Sequence, residues 1–283
     1  MNSGSAERRI DAHQHFWTYS PGVHQWMARP GFAPLMRDFL PEHLAPLLEG
    51  SLIDGCIAVQ AAGTIFETEW LLSLAAAHPF ILGVVGWADL TAENFPRTLD
   101  HLPQRKRLRG LRHIVEDESD PAWLLRADVS RSLDDCGRLG LVYDLLVREP
   151  QWDAALTCAR AHPEQRLVLD HCGKPPIRAG RLEPWRTFIR ELAACEHVSC
   201  KLSGLVTEAE WRQWTDADLR PCVDIALEAF GPERLMLGSD WPVCTLAAPY
   251  GRTFHALESA FEELSFSERA QLRGGTAAHI YGV

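Results

Sequence analysis

Two imidazoles stand two residues apart in the first apolar run, "RIDAHQHFW", at His13 and His15. A third, His171, follows the apolar run "RLVLD", and a carboxylate, Asp240, follows "RLMLGS". These residue types suit two chemistries. Imidazoles at i and i+2 share one face of a strand and can ligate one divalent ion; a third imidazole and a carboxylate complete a zinc-type set. Without a metal, the same rings can donate hydrogen bonds to a carbonyl oxygen while the carboxylate takes a proton from water.

The elements that must position these groups are legible. Eight short apolar runs read as strands: "RIDAH", "DGCIAVQ", "FILGVVGWADL", "LRGLRHIV", "GLVYDLLV", "RLVLDHCG", "HVSCKLSG" and "RLMLGSDWP". Amphipathic stretches such as "TIFETEWLLSLAAAHP" and "EPWRTFIRELAACE" lie between them. Strand and helix in alternation predict an α/β fold, a parallel (β/α)8 TIM barrel forming one domain over 1–283. No glycine-rich phosphate loop follows the first strand, which argues against a doubly wound sheet. The long segment from Thr18 to Pro46 is expected to cap one mouth of the barrel.

Side chains alternate along a strand, and a barrel's reactive groups sit at its C-terminal mouth. Regular alternation predicts Ile10 and Ala12 toward the helices, with Asp11, His13 and His15 inward. It places Met236, Gly238 and Asp240 inward on the eighth strand. It places Leu167 and Leu169 in inner layers below His171. On the seventh it sends Val198, Cys200 and Leu202 outward and Ser199, Lys201 and Ser203 inward, because a lysine under the helices would be costly to desolvate. Three imidazoles and one carboxylate from strands one, six and eight then meet at one mouth.

The chain of 283 residues has 46% hydrophobic and 23% charged residues and a formal net charge of −10. Its one basic cluster, "QRKRLR", reads as a solvated helix end, so no nucleic-acid partner is expected. The eight cysteines form no C-x-x-C pair, which suits a reducing compartment. The opening "MNSGSAERR" has no apolar signal core and no run reaches membrane-spanning length, so a cytoplasmic protein without a membrane partner is expected. Residues 1–9 are expected to be a flexible lead. Oligomeric state is not set by the sequence.

The motifs "DAHQHFW", "LRGLRHIV", "YDLLV", "LDHCGKP", "KLSG" and "GSDWPV" together resemble the amidohydrolase superfamily. Within it they are similar to the amidohydrolase-2 branch and its lactonases of sugar lactones and of a pyrone dicarboxylate. The resemblance runs from about Ile10 to the C-terminus. It implies that Asp240 is the general base for water. It implies that His13, His15 and His171 surround the lactone carbonyl or a metal, and that Arg112 or His113 contacts substrate. Only one of those two neighbours can face inward on a regular strand. Two-metal members of the superfamily use a bridging lysine or acid on the fourth strand and a histidine on the fifth. "GLRHIV" and "YDLLV" offer neither, so the choice lies between one divalent metal, zinc first, held by His13, His15, His171 and Asp240, and none.

The expected reaction is the hydrolysis of a sugar lactone, L-fucono-lactone in type, to its aldonic acid. A carboxylate near pKa ~4 is a weak base unless it is desolvated or the water is acidified. Sugar hydroxyls need donors, acceptors and flat apolar faces, for which Trp17, Trp26, Asp144, Lys201 and Trp241 are candidates. A dicarboxylate would want several arginines, and only Arg112 stands at a strand end. The rival readings are a pyrone dicarboxylate lactonase, a metal-dependent decarboxylase of an aromatic acid and a sugar-binding barrel without catalysis. Cys172 and Cys244 lie near the site without a histidine pairing that would make either a nucleophile.

Overall fold

The computed structural model describes residues 8–283. All eight expected strands form: β1 (Ile10–Gln14), β2 (Gly55–Val59), β3 (Ile81–Gly86), β4 (Leu108–His113), β5 (Val142–Leu145), β6 (Leu167–Leu169), β7 (Val198–Leu202) and β8 (Leu235–Leu237). They make one sheet in the order β1 to β8, with every neighbouring pair parallel. A parallel bridge between Gln14 and Trp241 brings the last strand's exit back to the first. The fold is a (β/α)8 barrel. Helices α1 (Pro41–Gly50), α2 (Ile65–Ala77), α3 (Phe95–Asp100), α4 (Ala127–Arg138), α5 (Trp152–Ala161), α6 (Trp185–Ala193), α7 (Leu205–Glu208), α8 (Asp216–Phe230) and α9 (Tyr250–Glu258) follow the strands. Two more, α10 (Phe266–Ala270) and α11 (Thr276–Tyr281), end the chain. Much of the flexible lead expected over 1–9 lies outside the described residues. Arg9, within it, is held: its guanidinium pairs with Glu258 and its backbone N–H donates to Asp54.

Two apolar layers follow from alternation. The larger lies between sheet and helices and takes Cys56, Ala58, Leu111, Tyr143, Leu145, Cys200, Leu202 and Leu237. The smaller fills the barrel, with Ile57, Val59, Val142, Val168 and Met236 packed against Ala277 and Tyr281 of α11. The C-terminal helix therefore plugs the barrel at the end away from the reactive mouth.

Two strands depart from the expected placements, β1 and β6. Ile10 and Ala12 belong to the barrel interior, not to the helix side. The cause is a bulge in β1: Asp11 pairs with Cys56 but Gln14 with Ala58, so three steps on one strand meet two on the next. Before the bulge Asp11 turns outward, where it accepts hydrogen bonds from Ser239 Oγ at 2.6 Å and Tyr250 OH at 3.0 Å. After it His13 turns inward. On β6, Leu167 and Leu169 pack on the helix side and Val168 fills the barrel, so Asp170, not His171, continues the inward series. The expected placements on β7 and β8 hold.

The chain's return onto β1 requires a glycine. A Cβ on Gly274 would stand 1.9 Å from the carbonyl oxygen of Arg8, a backbone atom that cannot rotate away. Gly274→Ala should cost about 1–3 kcal/mol of overpacking. At about 2–4 °C per kcal/mol, that lowers the melting temperature by several degrees. Circular dichroism melting measures it; an unchanged midpoint would show that the two segments separate freely.

Candidate active site

The floor of the site is built by three strand ends. The bulge in β1 aims His13 inward, and His15 follows one residue past the strand. His171 arrives differently. His171, Cys172 and Lys174 have φ of 54°, 51° and 57°, a left-handed turn rare for residues with a Cβ. It reverses the chain after Asp170 and lays the His171 ring across the mouth. Gly204 makes room: a Cβ there would sit 2.6 Å from His171 Nδ1. Asp240 has φ of 58°. Its N–H donates to the His13 carbonyl, which ties the base to β1.

Each ring is held by Nδ1. In His15 that atom is 2.8 Å from the Val59 carbonyl, so it carries the proton and Nε2 keeps a lone pair. In His171 it lies 2.9 Å from Ser203 Oγ. In His13 it lies 3.2 Å from Lys201 Nζ and 3.2 Å from Asp170 Oδ1. The Nε2 atoms gather. Those of His13 and His15 are 3.2 Å apart, and Asp240 Oδ1 lies 3.3 Å from His15, 3.8 Å from His13 and 4.0 Å from His171.

Donors on a tetrahedral zinc at ~2.0–2.1 Å stand about 3.4 Å from one another. The His13–His15 and His15–Asp240 spacings, 3.2 and 3.3 Å, match that requirement, while Asp240 lies farther from His13 and His171, at 3.8 and 4.0 Å. His13, His15 and Asp240 meet the geometry of a metal-holding group, as do His13, Asp170 and His171. Burial lowers the proton affinity of His171 to about 4 and holds His13 well below the usual imidazole range, so both are neutral ligands at neutral pH. Burial pushes Asp240 up, but the His171 and His15 rings with the Lys174 charge outweigh it, and the group is ionised.

Arg112 is the member of its pair that faces inward. Its Nη1 donates to Asp170 Oδ2 at 3.0 Å and Nη2 to the Gln60 carbonyl. His113 points away, stacked on Trp123 at 4.1 Å with Nε2 on Glu118. Above this floor opens a cavity of about 290 Å³. Of the expected substrate contacts, Trp26 and Arg112 line it. Trp17, Trp241, Asp144, Lys201 and His113 do not. Trp17 and Trp241 pack in the core around Phe39. Lys201 faces inward as expected, but it lies beneath the floor, bonded to Asp144 at 2.5 Å. Asp144 in turn accepts from Tyr281 OH of the plug helix at 2.9 Å.

The cavity wall holds groups that sequence reasoning passed over. The Thr18 to Pro46 segment supplies Arg29 and Phe32 besides Trp26, as a capping loop should. Glu116, Arg148, Lys174 and Trp211 come from other connections, and Glu208 from the end of α7. Lys174 and Asp170 stood inside "LDHCGKP", and Glu116 stands just beyond β4; Trp211 had no signal. Glu67 acts from behind the wall: its carboxyl accepts from the N–H groups of Ala61 and Ala62, shaping the turn that holds Trp26. The wall carries more cations than expected, but each has an acid: Lys174 and Arg148 share Glu116, Arg29 pairs with Asp117, and Arg112 with Asp170.

The Amidohydrolase family matches residues 10–283. The chain is 46% identical over 289 aligned positions to an L-fucono-1,5-lactonase of Burkholderia multivorans, covering 97% of this chain and 96% of that one. It is 37% identical to an L-fucono-1,5-lactonase of Burkholderia ambifaria, with coverage of 97% and 96%. A crystal structure of a Burkholderia multivorans amidohydrolase with bound zinc superposes with a TM-score of 0.94 at 44% identity, covering 98% of this chain and 99% of the other.

Burial raises the Glu116 carboxyl, but the Lys174 and Arg148 charges bring it down to about 2 from an ordinary 4.5. A folded-state value below the unfolded one contributes stability above pH ~4.5 that disappears as pH falls toward 2. Glu116→Gln should therefore be less stable than the parent at pH 7, by up to about 3 kcal/mol. The gap should close as pH falls through that window. Urea unfolding at pH 7 and pH 3 tests this; a gap that widens in acid would contradict it.

Proposed function

We propose that this chain, which belongs to the amidohydrolase family over residues 10–283, opens a sugar lactone by attack of water on its ester carbonyl. The observation that carries the reading is the approach of the Asp240 carboxylate to the Nε2 atoms of His13, His15 and His171, with His15, His171 and Asp240 lining an open cavity and His13 buried just behind them. The two L-fucono-1,5-lactonase relatives support L-fucono-1,5-lactone as the first substrate to try.

Asp240 is placed to act as the base. Its Oδ1 takes the proton from water as the new C–O bond forms. The same proton then goes to the ring oxygen as the acyl–oxygen bond breaks, so the aldonic acid leaves and the carboxylate is restored. The Arg112 guanidinium reaches the same floor, with Nη1 3.4 Å from His13 Nε2, and offers positive charge to the developing oxyanion. His15 cannot donate there while its Nδ1 proton is on Val59; its Nε2 lone pair suits a ligand. His13, His15, His171 and Asp240 would hold a divalent cation, with zinc first among candidates. When bound, that cation supplies Lewis-acid polarisation of the carbonyl and a more acidic water.

The wall suits a neutral polyol. Trp26, Phe32 and Trp211 offer flat apolar faces, and the paired charges of Glu116, Lys174 and Arg148 with the carboxyl of Glu208 offer donors and acceptors to hydroxyls. Arg29 and Arg112 each have an acid, and Lys174 and Arg148 share Glu116, so a dicarboxylate finds at most one spare charge for its two carboxylates. This disfavours the pyrone dicarboxylate reading.

A panel of sugar lactones with a pH indicator tests the reading, since each ring opening releases a proton. L-Fucono-1,5-lactone should be opened, and Asp240→Asn should slow turnover by at least ~10²-fold. A folded D240N variant with parental rates would remove Asp240 from the mechanism. An inactive parent that instead releases carbon dioxide from an aromatic acid would replace the reaction.

A further inference from the structure

His13 differs from the other two rings in what its Nδ1 faces. His15 Nδ1 meets only an acceptor, the Val59 carbonyl, at 2.8 Å. His13 Nδ1 meets a donor and an acceptor together: Lys201 Nζ at 3.2 Å and Asp170 Oδ1 at 3.2 Å. All three groups are fully buried. The lysine hydrogen bond is aligned. Asp170 Oδ1, although close to both His13 and Lys201, has no aligned hydrogen bond and is a buried acceptor awaiting a donor.

These contacts define two consistent arrangements. In the first, Lys201 donates to His13 Nδ1, His13 Nε2–H donates to His15 Nε2 at 3.2 Å, and His15 Nδ1–H donates to Val59. The chain of donors is complete, and the His13–His15 pair is closed on itself. In the second, His13 carries its proton on Nδ1 and donates that N–H as a hydrogen bond to the waiting Asp170 Oδ1. Its Nε2 then shows a lone pair beside that of His15, and the pair is open to a cation. Lys201 keeps Asp144 and Asp170 as partners in both. Arg112 Nη1 makes its shorter bond to Asp170 Oδ2 and a longer one, 3.4 Å, to His13 Nε2; as a donor only, it makes the second when Nε2 carries a lone pair, as in the second arrangement.

We propose that Lys201 and Asp170 act as opposed positioning residues that select the His13 tautomer: Lys201 holds the form that closes the His13–His15 pair, and Asp170 holds the form that ligates a divalent cation. No net proton is gained or lost; one moves from Nε2 to Nδ1 as the cation arrives. The inference rests on the pocket described above being the reaction centre. Its tests use zinc alone and no lactone, so their failure is separable from failure of the lactonase reading.

The direct test is two-bond nitrogen–proton correlation NMR of the full chain labelled at histidine nitrogens, with the His13 signals identified by their loss in His13→Asn. After chelation, His13 should carry its proton on Nε2; with one equivalent of zinc it should carry it on Nδ1. His15 should be Nδ1-protonated throughout. His13 protonated on Nδ1 in both states, or an absence of zinc binding, would overturn the proposal. The second test is zinc affinity by calorimetry. Asp170→Asn should weaken binding by roughly 10–100-fold, the usual loss for a partner that orients a ligand. The double variant Lys201→Met, Asp144→Asn, which removes a buried charge pair together, should bind zinc more tightly than the parent. A purely structural role for Lys201 would weaken zinc instead and would contradict the proposal. If the double variant does not fold, the parental spectra and D170N still decide.

Discussion

The site depends on one constraint: each of three imidazoles is gripped at Nδ1, so that its Nε2 has one direction in which to point. The Val59 carbonyl grips His15, Ser203 grips His171, and Lys201 with Asp170 grips His13. Without those contacts the rings would rotate about Cβ–Cγ and the Nε2 atoms would scatter. With them, the rings and Asp240 face one point on the barrel floor. Partners of this kind fix ring orientation and raise ligand basicity, which is why they matter as much as the ligands themselves.

Beneath the rings, the barrel interior carries an unusual load of charge for a core. Lys201 and Arg112 are matched there by Asp144 and Asp170, and Tyr281 adds a hydrogen bond to Asp144. Those charges balance. Asp240 stands outside that balance, an ionised group beside the His13 and His171 rings, whose proton affinity burial lowers. The floor therefore carries surplus negative charge, which suits a cation. Breaking one member of such a network leaves an unpaired buried charge, so single substitutions at Lys201 or Asp144 remove more than one contact. The plug helix α11 takes part through Tyr281, which links the far end of the barrel to the reactive end through three side chains.

The sequence made the barrel legible because its strands are short apolar runs separated by amphipathic helices, a pattern that few other folds share. It also made His13, His15, His171 and Asp240 legible, since strand ends are where a barrel places its chemistry, and it left Arg112 or His113 open. The expected placements failed on two strands, each with a local cause. The β1 bulge reverses the pleat between Asp11 and His13, so that Ile10 and Ala12 face inward. The left-handed turn at His171 breaks the pleat after Asp170. Neither follows from residue type, because the bulge depends on pairing with β2 and the turn on the space at Gly204. Lys201 was aimed correctly but at the wrong depth, because depth depends on strand stagger. Trp17 and Trp241 serve packing, as most tryptophans do. The wall residues Arg29, Glu116, Arg148, Glu208 and Trp211 come from separate connections and a short helix end, whose meeting is tertiary and has no sequence period.

The most direct measurement of the central arrangement is zinc-edge anomalous diffraction from crystals given one equivalent of the metal. A single peak is expected at ~2.0–2.1 Å from the Nε2 atoms of His13, His15 and His171 and near Asp240 Oδ1. A peak bonded to any Nδ1 atom, or one lying away from these four residues, would contradict it.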